Sequence, residues 1–317
     1  MPSLDMPLEQ LRQYKPPLYR EDDFETFWET TVSEAKAQPL NAELIPYPTL
    51  KTRTVSVYAL RFDGYEGGRI AGWYLRPEGS RKMPGLVVYH GYSGRAPRPL
   101  DLLPYASQGV CVLSMDTRGQ NGESQDAAVY PEGHFSGWMT QGIRDPRSYY
   151  YRYVYADAVR ALEVLGRREE VDEDRIAITG ISQGGGISLA AAALSDRPML
   201  CLPDIPFLCD FKRAIEITPA GPYPEIPSFL KVFPHMYDQS VRTLSYIDNL
   251  NLAPWIECRT VISNCLCDDI CPPSTIFGVY NHITSEKKME VYRYHKHEVP
   301  YEHTETRFRL LMEVLKP

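Results

Sequence analysis

Gly180, Ile181, Ser182, Gln183 and Gly184 form a Gly-x-Ser-x-Gly pentapeptide between an apolar run at 175–179 and a helical pattern over 184–194. Strand, tight turn and helix in that order are the context a nucleophile elbow requires. The turn strains the serine backbone, and the flanking glycines are needed because strand and helix approach too closely for a Cβ. The hydroxyl then stands above the sheet. Glycine and serine are both common, so the bare pentapeptide is a weak signal and its flanks carry the reading.

A serine hydroxyl is a poor nucleophile at neutral pH unless an imidazole takes its proton and a carboxylate orients that imidazole. Both partners are expected downstream, in the order serine, acid, histidine that α/β-hydrolases use. Asp268 and Asp269 lie just past the apolar run at 260–263, and His297 follows the run at 290–294. Only one of the adjacent aspartates can point at the ring, the other being a solvated loop residue, and His295 and His303 compete with His297. Acyl transfer also needs N–H donors aimed at the developing oxyanion. Gln183, next after the serine, supplies one; Tyr92, in the turn after Tyr89, His90 and Gly91, supplies the second through its amide and could line the acyl pocket.

Other polar clusters read more simply. Arg118, Gly119 and Gln120 follow the run at 110–115, and an arginine paired with a buried carboxylate near the site is the expectation there. Cys265, Cys267 and Cys271 fit no standard zinc spacing, so no metal and no organic cofactor is expected.

These residues need a scaffold, and the pattern of apolar runs supplies one. Short runs at 86–89, 110–115, 175–179, 200–202, 260–263 and 290–294 alternate with helical patterns, notably over 156–165, 184–194 and 304–315. Such alternation predicts an α/β class with a mainly parallel sheet flanked by helices. Runs at 55–62 and 69–75 around a Gly-rich turn predict an antiparallel hairpin. Residues 1–50 read as a polar helical extension, with Phe24, Phe27, Trp28, Val32 and Ala35 on one side of a helix over 22–37. The interval 207–251, carrying Pro219, Pro222, Pro224, Pro227 and Pro234, reads as a cap inserted over the sheet edge of a single domain spanning 1–317.

Composition narrows the function classes. Apolar residues at 43% and charged residues at 24% exclude disorder and fibrous classes. Lys plus Arg number 34 against 41 Asp plus Glu, and the net charge of −7 leaves no cationic surplus for nucleic acid. No run approaches the roughly 18 apolar residues of a membrane span. Met1 to Asp5 lack a basic and apolar leader pattern, and seven scattered cysteines fit no disulfide framework, so a cytoplasmic protein is expected. No repeat or low-complexity tract is present.

Several motifs in order resemble carbohydrate esterase family 7, the acetyl xylan esterases also called cephalosporin-C deacetylases. They are Asp5 to Glu9, Arg118 Gly119 Gln120, Ser182 to Gly185 and Asp204 to Asp210. Further on come Leu244 to Asn249, Asp268 ahead of Cys271 Pro272 Pro273 Ser274 Thr275, and His297 Glu298 after Tyr292 Arg293 Tyr294. The resemblance implies an α/β-hydrolase fold, Ser182 as nucleophile, Asp268 rather than Asp269 as orienting acid, His297 as base, and the amides of Tyr92 and Gln183 as oxyanion donors. It implies deacetylation of small esters such as acetylated xylo-oligosaccharides and cephalosporin C, and a homohexamer with sites facing an internal cavity. One departure is Cys265, where the family usually has glycine. The rival readings are a broader short-chain esterase or peptidase-like hydrolase on the same scaffold, and a non-catalytic binding protein.

Overall fold

The computed structural model describes residues 5–79, 81–130 and 135–317; residues 1–4, part of the opening segment read for a leader, lie outside the described residues. Among the described residues nine strands form one sheet: β1 (Glu43–Pro46), β2 (Val55–Asp63), β3 (Arg69–Pro77), β4 (Met83–Tyr89), β5 (Cys111–Met115), β6 (Val171–Ile181), β7 (Pro198–Asp204), β8 (Arg259–Cys265) and β9 (Lys287–Tyr292). Their spatial order is β1-β2-β3-β5-β4-β6-β7-β8-β9. From β5 to β9 every neighbouring pair is parallel. The β1-β2-β3 edge is antiparallel, and β3 meets β5 antiparallel.

Around the sheet lie α1 (Leu8–Leu11), α2 (Phe24–Ala37), α3 (Pro99–Ala106), α4 (Tyr150–Gly166), α5 (Gln183–Leu194), α6 (Phe211–Ile217), α7 (Glu225–Val232), α8 (Tyr237–Ile247), α9 (Asn249–Leu252), α10 (Pro273–His282) and α11 (Tyr301–Leu315). Among the described residues no helix is long and apolar enough to cross a membrane.

The burial of each element follows its sequence. β5 is buried at every position, as a strand covered by helices on both faces must be, and apart from Ser114 its residues are apolar for that reason. β2 and β3 pair from Val55 with Pro77 to Asp63 with Arg69, the hairpin expected from the two alternating runs. α5 is almost wholly Gly, Ala, Leu, Ile and Ser and is buried nearly throughout, between β6 and β7 on one side and α4 on the other. A helix without a polar face must sit inside. In α2, Phe24, Trp28, Thr31 and Ala35 are buried, and the helix packs on α4.

Two expectations change, and one interval gains definition. The segment read as wholly helical before residue 50 contains β1, an edge strand with exposed and half-exposed positions whose sequence shows no alternation. The interval 207–251 is helical, running through α6, α7, α8 and into α9. α4 begins at Tyr150, six residues before the expected start, and Tyr150, Tyr151, Tyr153 and Tyr155 in its first turns are buried.

Candidate active site

Ser182 sits between the end of β6 and the start of α5 with φ +57° and ψ −114°. A non-glycine residue there costs on the order of 1–3 kcal/mol, so the surroundings must enforce it. They do so through hydrogen bonds: Ser182 N–H donates to the Asp204 carbonyl at 2.9 Å, and the Ser182 carbonyl accepts from Phe207 N–H at 2.9 Å and Gly186 N–H at 3.0 Å. The glycines leave the room this turn needs. A Cβ on Gly180 would lie 2.7 Å from the Gly184 Cα, and one on Gly184 would overlap the Tyr89 carbonyl at the end of β4.

The turn leaves Ser182 half-buried, with its Oγ 3.0 Å from His297 Nε2. His297 Nδ1 lies 2.8 Å from Asp268 Oδ2. A carboxylate partner makes Nδ1 the protonated nitrogen and leaves the Nε2 lone pair facing the hydroxyl. Asp268 is buried and held in turn: its Oδ1 accepts from Ile270 N–H at 2.9 Å and Cys271 N–H at 2.8 Å. Cys265 does not prevent this arrangement; its carbonyl accepts the Asp268 N–H at 3.1 Å, and its thiol faces the Glu298 carbonyl at 3.3 Å.

The competing residues go elsewhere. Asp269 points to Lys296 at 3.4 Å on the surface. His295 pairs with Glu298 at 3.0 Å. His303 is buried against Asp204 at 2.7 Å.

Gln183 is the first residue of α5, so its amide is one of those a helix leaves without an intrahelical acceptor. Its side chain is buried and tied down: Oε1 accepts from Gln120 Nε2 at 2.8 Å and Tyr151 OH at 3.0 Å, and Nε2 donates to Gln120 Oε1 at 3.1 Å. The turn bearing Tyr92 comes close to the nucleophile, since a Cβ on Gly91 would be 4.0 Å from the Ser182 Cβ. His90 fixes that turn: its Nε2 accepts from Thr117 N–H at 2.9 Å and its Nδ1 donates to the Gly91 carbonyl at 2.8 Å. Burial pushes the His90 imidazole below its ordinary pKa, consistent with this neutral tautomer.

The Tyr92 ring stands edge-on to Trp138 and Phe207, and its hydroxyl donates to Glu225 Oε1 at 2.6 Å. Arg118 is fully buried and bidentate on Asp157, at 2.7 and 2.8 Å, which is the role expected of it.

Sequence reasoning singled out neither Glu225 nor the supporting part of His90, and it read Gln120 only with Arg118. His90 and Gln120 carried a visible signal in lying beside turns that follow apolar runs. Glu225 carried none, being 133 residues from Tyr92. Asp268, Cys271 and His297 also bring a carboxylate oxygen, a thiol and a ring nitrogen within 4.8 Å of one another. The two ring nitrogens and the Asp268 oxygens are engaged in the bonds already given.

A family model described as acetyl xylan esterase (AXE1) matches residues 1–313. Among solved structures, the acetyl xylan esterase from Paenibacillus sp. R4 is 44% identical with a TM-score of 0.95, over 98% of this chain and 100% of that one. Acetyl xylan esterase 1 from Thermoanaerobacterium sp. JW/SL YS485 is 33% identical with a TM-score of 0.94, over 98% and 99%. The acetyl esterase Axe7A of Xylanibacter ruminicola is 28% identical over 279 residues, which is 86% of this chain and 63% of that relative's length.

Proposed function

The chain belongs to the acetyl xylan esterase family, and from that premise we propose that it is a serine carboxylesterase removing acetyl groups from small O-acetyl esters by way of an acetyl-enzyme. Acetylated xylo-oligosaccharides are the substrates this reading favours, with cephalosporin C a further ester of the same chemistry. The observation that carries it is the relay from Asp268 through His297 to Ser182, with links of 2.8 and 3.0 Å.

In this mechanism Ser182 Oγ attacks the acetyl carbonyl while His297 Nε2 accepts the hydroxyl proton and Asp268 stabilises the imidazolium. The amides of Gln183 and Tyr92 receive the oxyanion, where loss of one donor typically costs about 3 kcal/mol. His297 then protonates the departing alcohol. Water enters, gives one proton to His297 and attacks the acetyl carbonyl; acetate departs as His297 returns that proton to Ser182 Oγ. His297 thus carries every proton between the serine, the alcohol and the water.

We read residues 1–317 as one domain, with the helical segment 207–251 as a cap near the site. The free thiols of all seven cysteines support a reducing, cytoplasmic setting. Assembly as a homohexamer rests on the family resemblance.

Hydrolysis of 4-nitrophenyl acetate, butyrate and octanoate by the wild type and Ser182→Ala tests the proposal. A steep loss of kcat/KM with acyl length, absent activity in the variant, and stoichiometric fluorophosphonate labelling of Ser182 alone are expected. Full hydrolysis by Ser182→Ala, or a preference for the longer esters, would overturn it.

A further inference from the structure

The second oxyanion donor lies in a loop, and a loop must be held to within about 0.5 Å for a hydrogen bond to a developing charge to keep its value. His90, Gln183 and Asn121 hold this loop through the Gly91, His90 and Ser93 carbonyls respectively. Ser93 adopts φ +51°, and Gly94 N–H closes a turn onto the Gly91 carbonyl at 3.0 Å. All of these contacts grip the backbone on either side of Tyr92.

The side chain of Tyr92 is gripped by Glu225, the first residue of α7. Glu225 Oε1 accepts the Tyr92 hydroxyl proton at 2.6 Å, and Oε2 accepts Met139 N–H at 3.1 Å. The Tyr92 oxygen in turn accepts Trp138 N–H at 2.7 Å. One carboxylate therefore joins three separate pieces of chain: the loop after β4, the segment at 137–139, and α7. The room for it is specific. Gly137 has φ +85°, and a Cβ there would overlap the Glu225 carboxylate. Burial raises the Glu225 carboxyl above its ordinary pKa, so placing an acid here carries a cost that its three-way link offsets. The Tyr92 ring meets Phe207, whose N–H donates to the Ser182 carbonyl at 2.9 Å, so the clamp ends on the nucleophile turn itself.

The geometry points to Glu225 as a positioning residue that, through the Tyr92 hydroxyl, holds the Tyr92 amide in register with Ser182 and makes the oxyanion site dependent on the seating of α7. Glu225 acts through Tyr92 and touches no reacting atom. The inference rests on the esterase reading given above and deepens it.

The test is a double-mutant cycle on 4-nitrophenyl acetate with Glu225→Ala, Tyr92→Phe and the double variant, with Glu225→Gln as the conservative change. Tyr92→Phe keeps the ring and the amide and removes only the hydroxyl. Each single variant is expected to lower kcat about tenfold with KM changed by less than about threefold, because the missing interaction is realised in the transition state. The double variant is expected to be no slower than the slower single, since both cut the same link. Glu225→Gln still offers one oxygen to Tyr92 and is expected to recover part of the loss. Thermal unfolding of each variant separates misfolding from mispositioning, and should Glu225→Ala not fold, Glu225→Gln paired with Tyr92→Phe completes the cycle. Multiplicative losses in the double variant, or kcat unchanged in Glu225→Ala, would overturn the inference while leaving the triad intact. Activity surviving Ser182→Ala would refute the esterase reading instead.

Discussion

His303 donates its Nε2 proton to Asp204 Oδ1 at 2.7 Å, and the backbone carbonyl of that same aspartate accepts the Ser182 N–H at 2.9 Å. The chain thus contains a second histidine–aspartate pair directly behind the nucleophile turn. Its chemistry is spent on structure: His303 Nδ1 takes the Tyr292 hydroxyl at 2.8 Å, and Arg307 pairs with the other Asp204 oxygen. Tyr292 and His303 lie on either side of the loop carrying His297, so their bond draws the ends of that loop together.

Removing His303 should therefore act on stability before chemistry. Removing one buried hydrogen-bond partner costs about 1–3 kcal/mol, and with Arg307 still on the other Asp204 oxygen His303→Ala should lose on that order of unfolding free energy. Denaturant titration measures it, and fluorophosphonate labelling of the folded fraction should persist. An unchanged midpoint would show that Asp204 does not depend on the imidazole.

The adjacent aspartates give a sharper contrast. Asp268→Asn preserves shape but favours the wrong tautomer of His297, a change that lowers kcat about 10⁴-fold in the corresponding triad of a serine protease. Asp269 pairs with the surface Lys296, so Asp269→Asn should stay within about twofold, in line with the small value of exposed ion pairs. Steady-state kinetics on one acetyl ester decides the matter; comparable losses in both variants would contradict the assignment.

The legibility of these features in the sequence was uneven for physical reasons. Strands β4 to β8 announce themselves because burial on both faces demands mostly apolar runs. The elbow is readable because two glycines must flank it. Three of the helices missed share a different trait: prolines stand at their starts. Pro99 and Pro273 open α3 and α10, while Pro224 precedes α7 and Pro227 lies in its first turn. A proline there forfeits no intrahelical bond, yet in a linear reading it looks like a breaker. The triad separations were likewise readable only as an order, since nothing local distinguishes His297 from His295. The link from Glu225 to Tyr92 is a purely tertiary fact.

Close packing at the elbow makes a prediction about Gly184. The Tyr89 carbonyl, which a Cβ here would overlap, belongs to a central strand and cannot swing aside. Gly184→Ala should destabilise by about 3 kcal/mol or more, or displace the turn and abolish labelling of Ser182. Thermal unfolding with parallel labelling reads both outcomes, and a stable, fully labelled variant would show that strand and helix can separate at no cost.

The two roots of the segment read as a cap carry a pH dependence. Asp210 lies just before α6 and Asp248 just after α8, and the Asp210 N–H donates to Asp248 Oδ1 at 2.7 Å. Tyr14 and Tyr19 bring their hydroxyls from the N-terminal arm to Asp210 and Asp248 respectively, and Arg213 N–H approaches Asp210. Burial, then the charge of Asp210, pushes Asp248 up from 3.8 to about 7 despite the donors around it. Burial also raises Asp210 and both phenols, so the tyrosines stay protonated through this range. Because the folded state holds the Asp248 proton more tightly than the unfolded chain does, stability is greatest below the unfolded value near 3.8 and falls as pH rises toward about 7. Asp210→Asn removes the like charge, which should bring Asp248 down and flatten that fall. Unfolding midpoints from pH 4 to 8 should show the wild type losing about 2 °C or more relative to Asp210→Asn across the window. Parallel curves for the two proteins would mean that the carboxylates do not sense each other, and that the arm and the roots of the segment are joined by neutral hydrogen bonding alone.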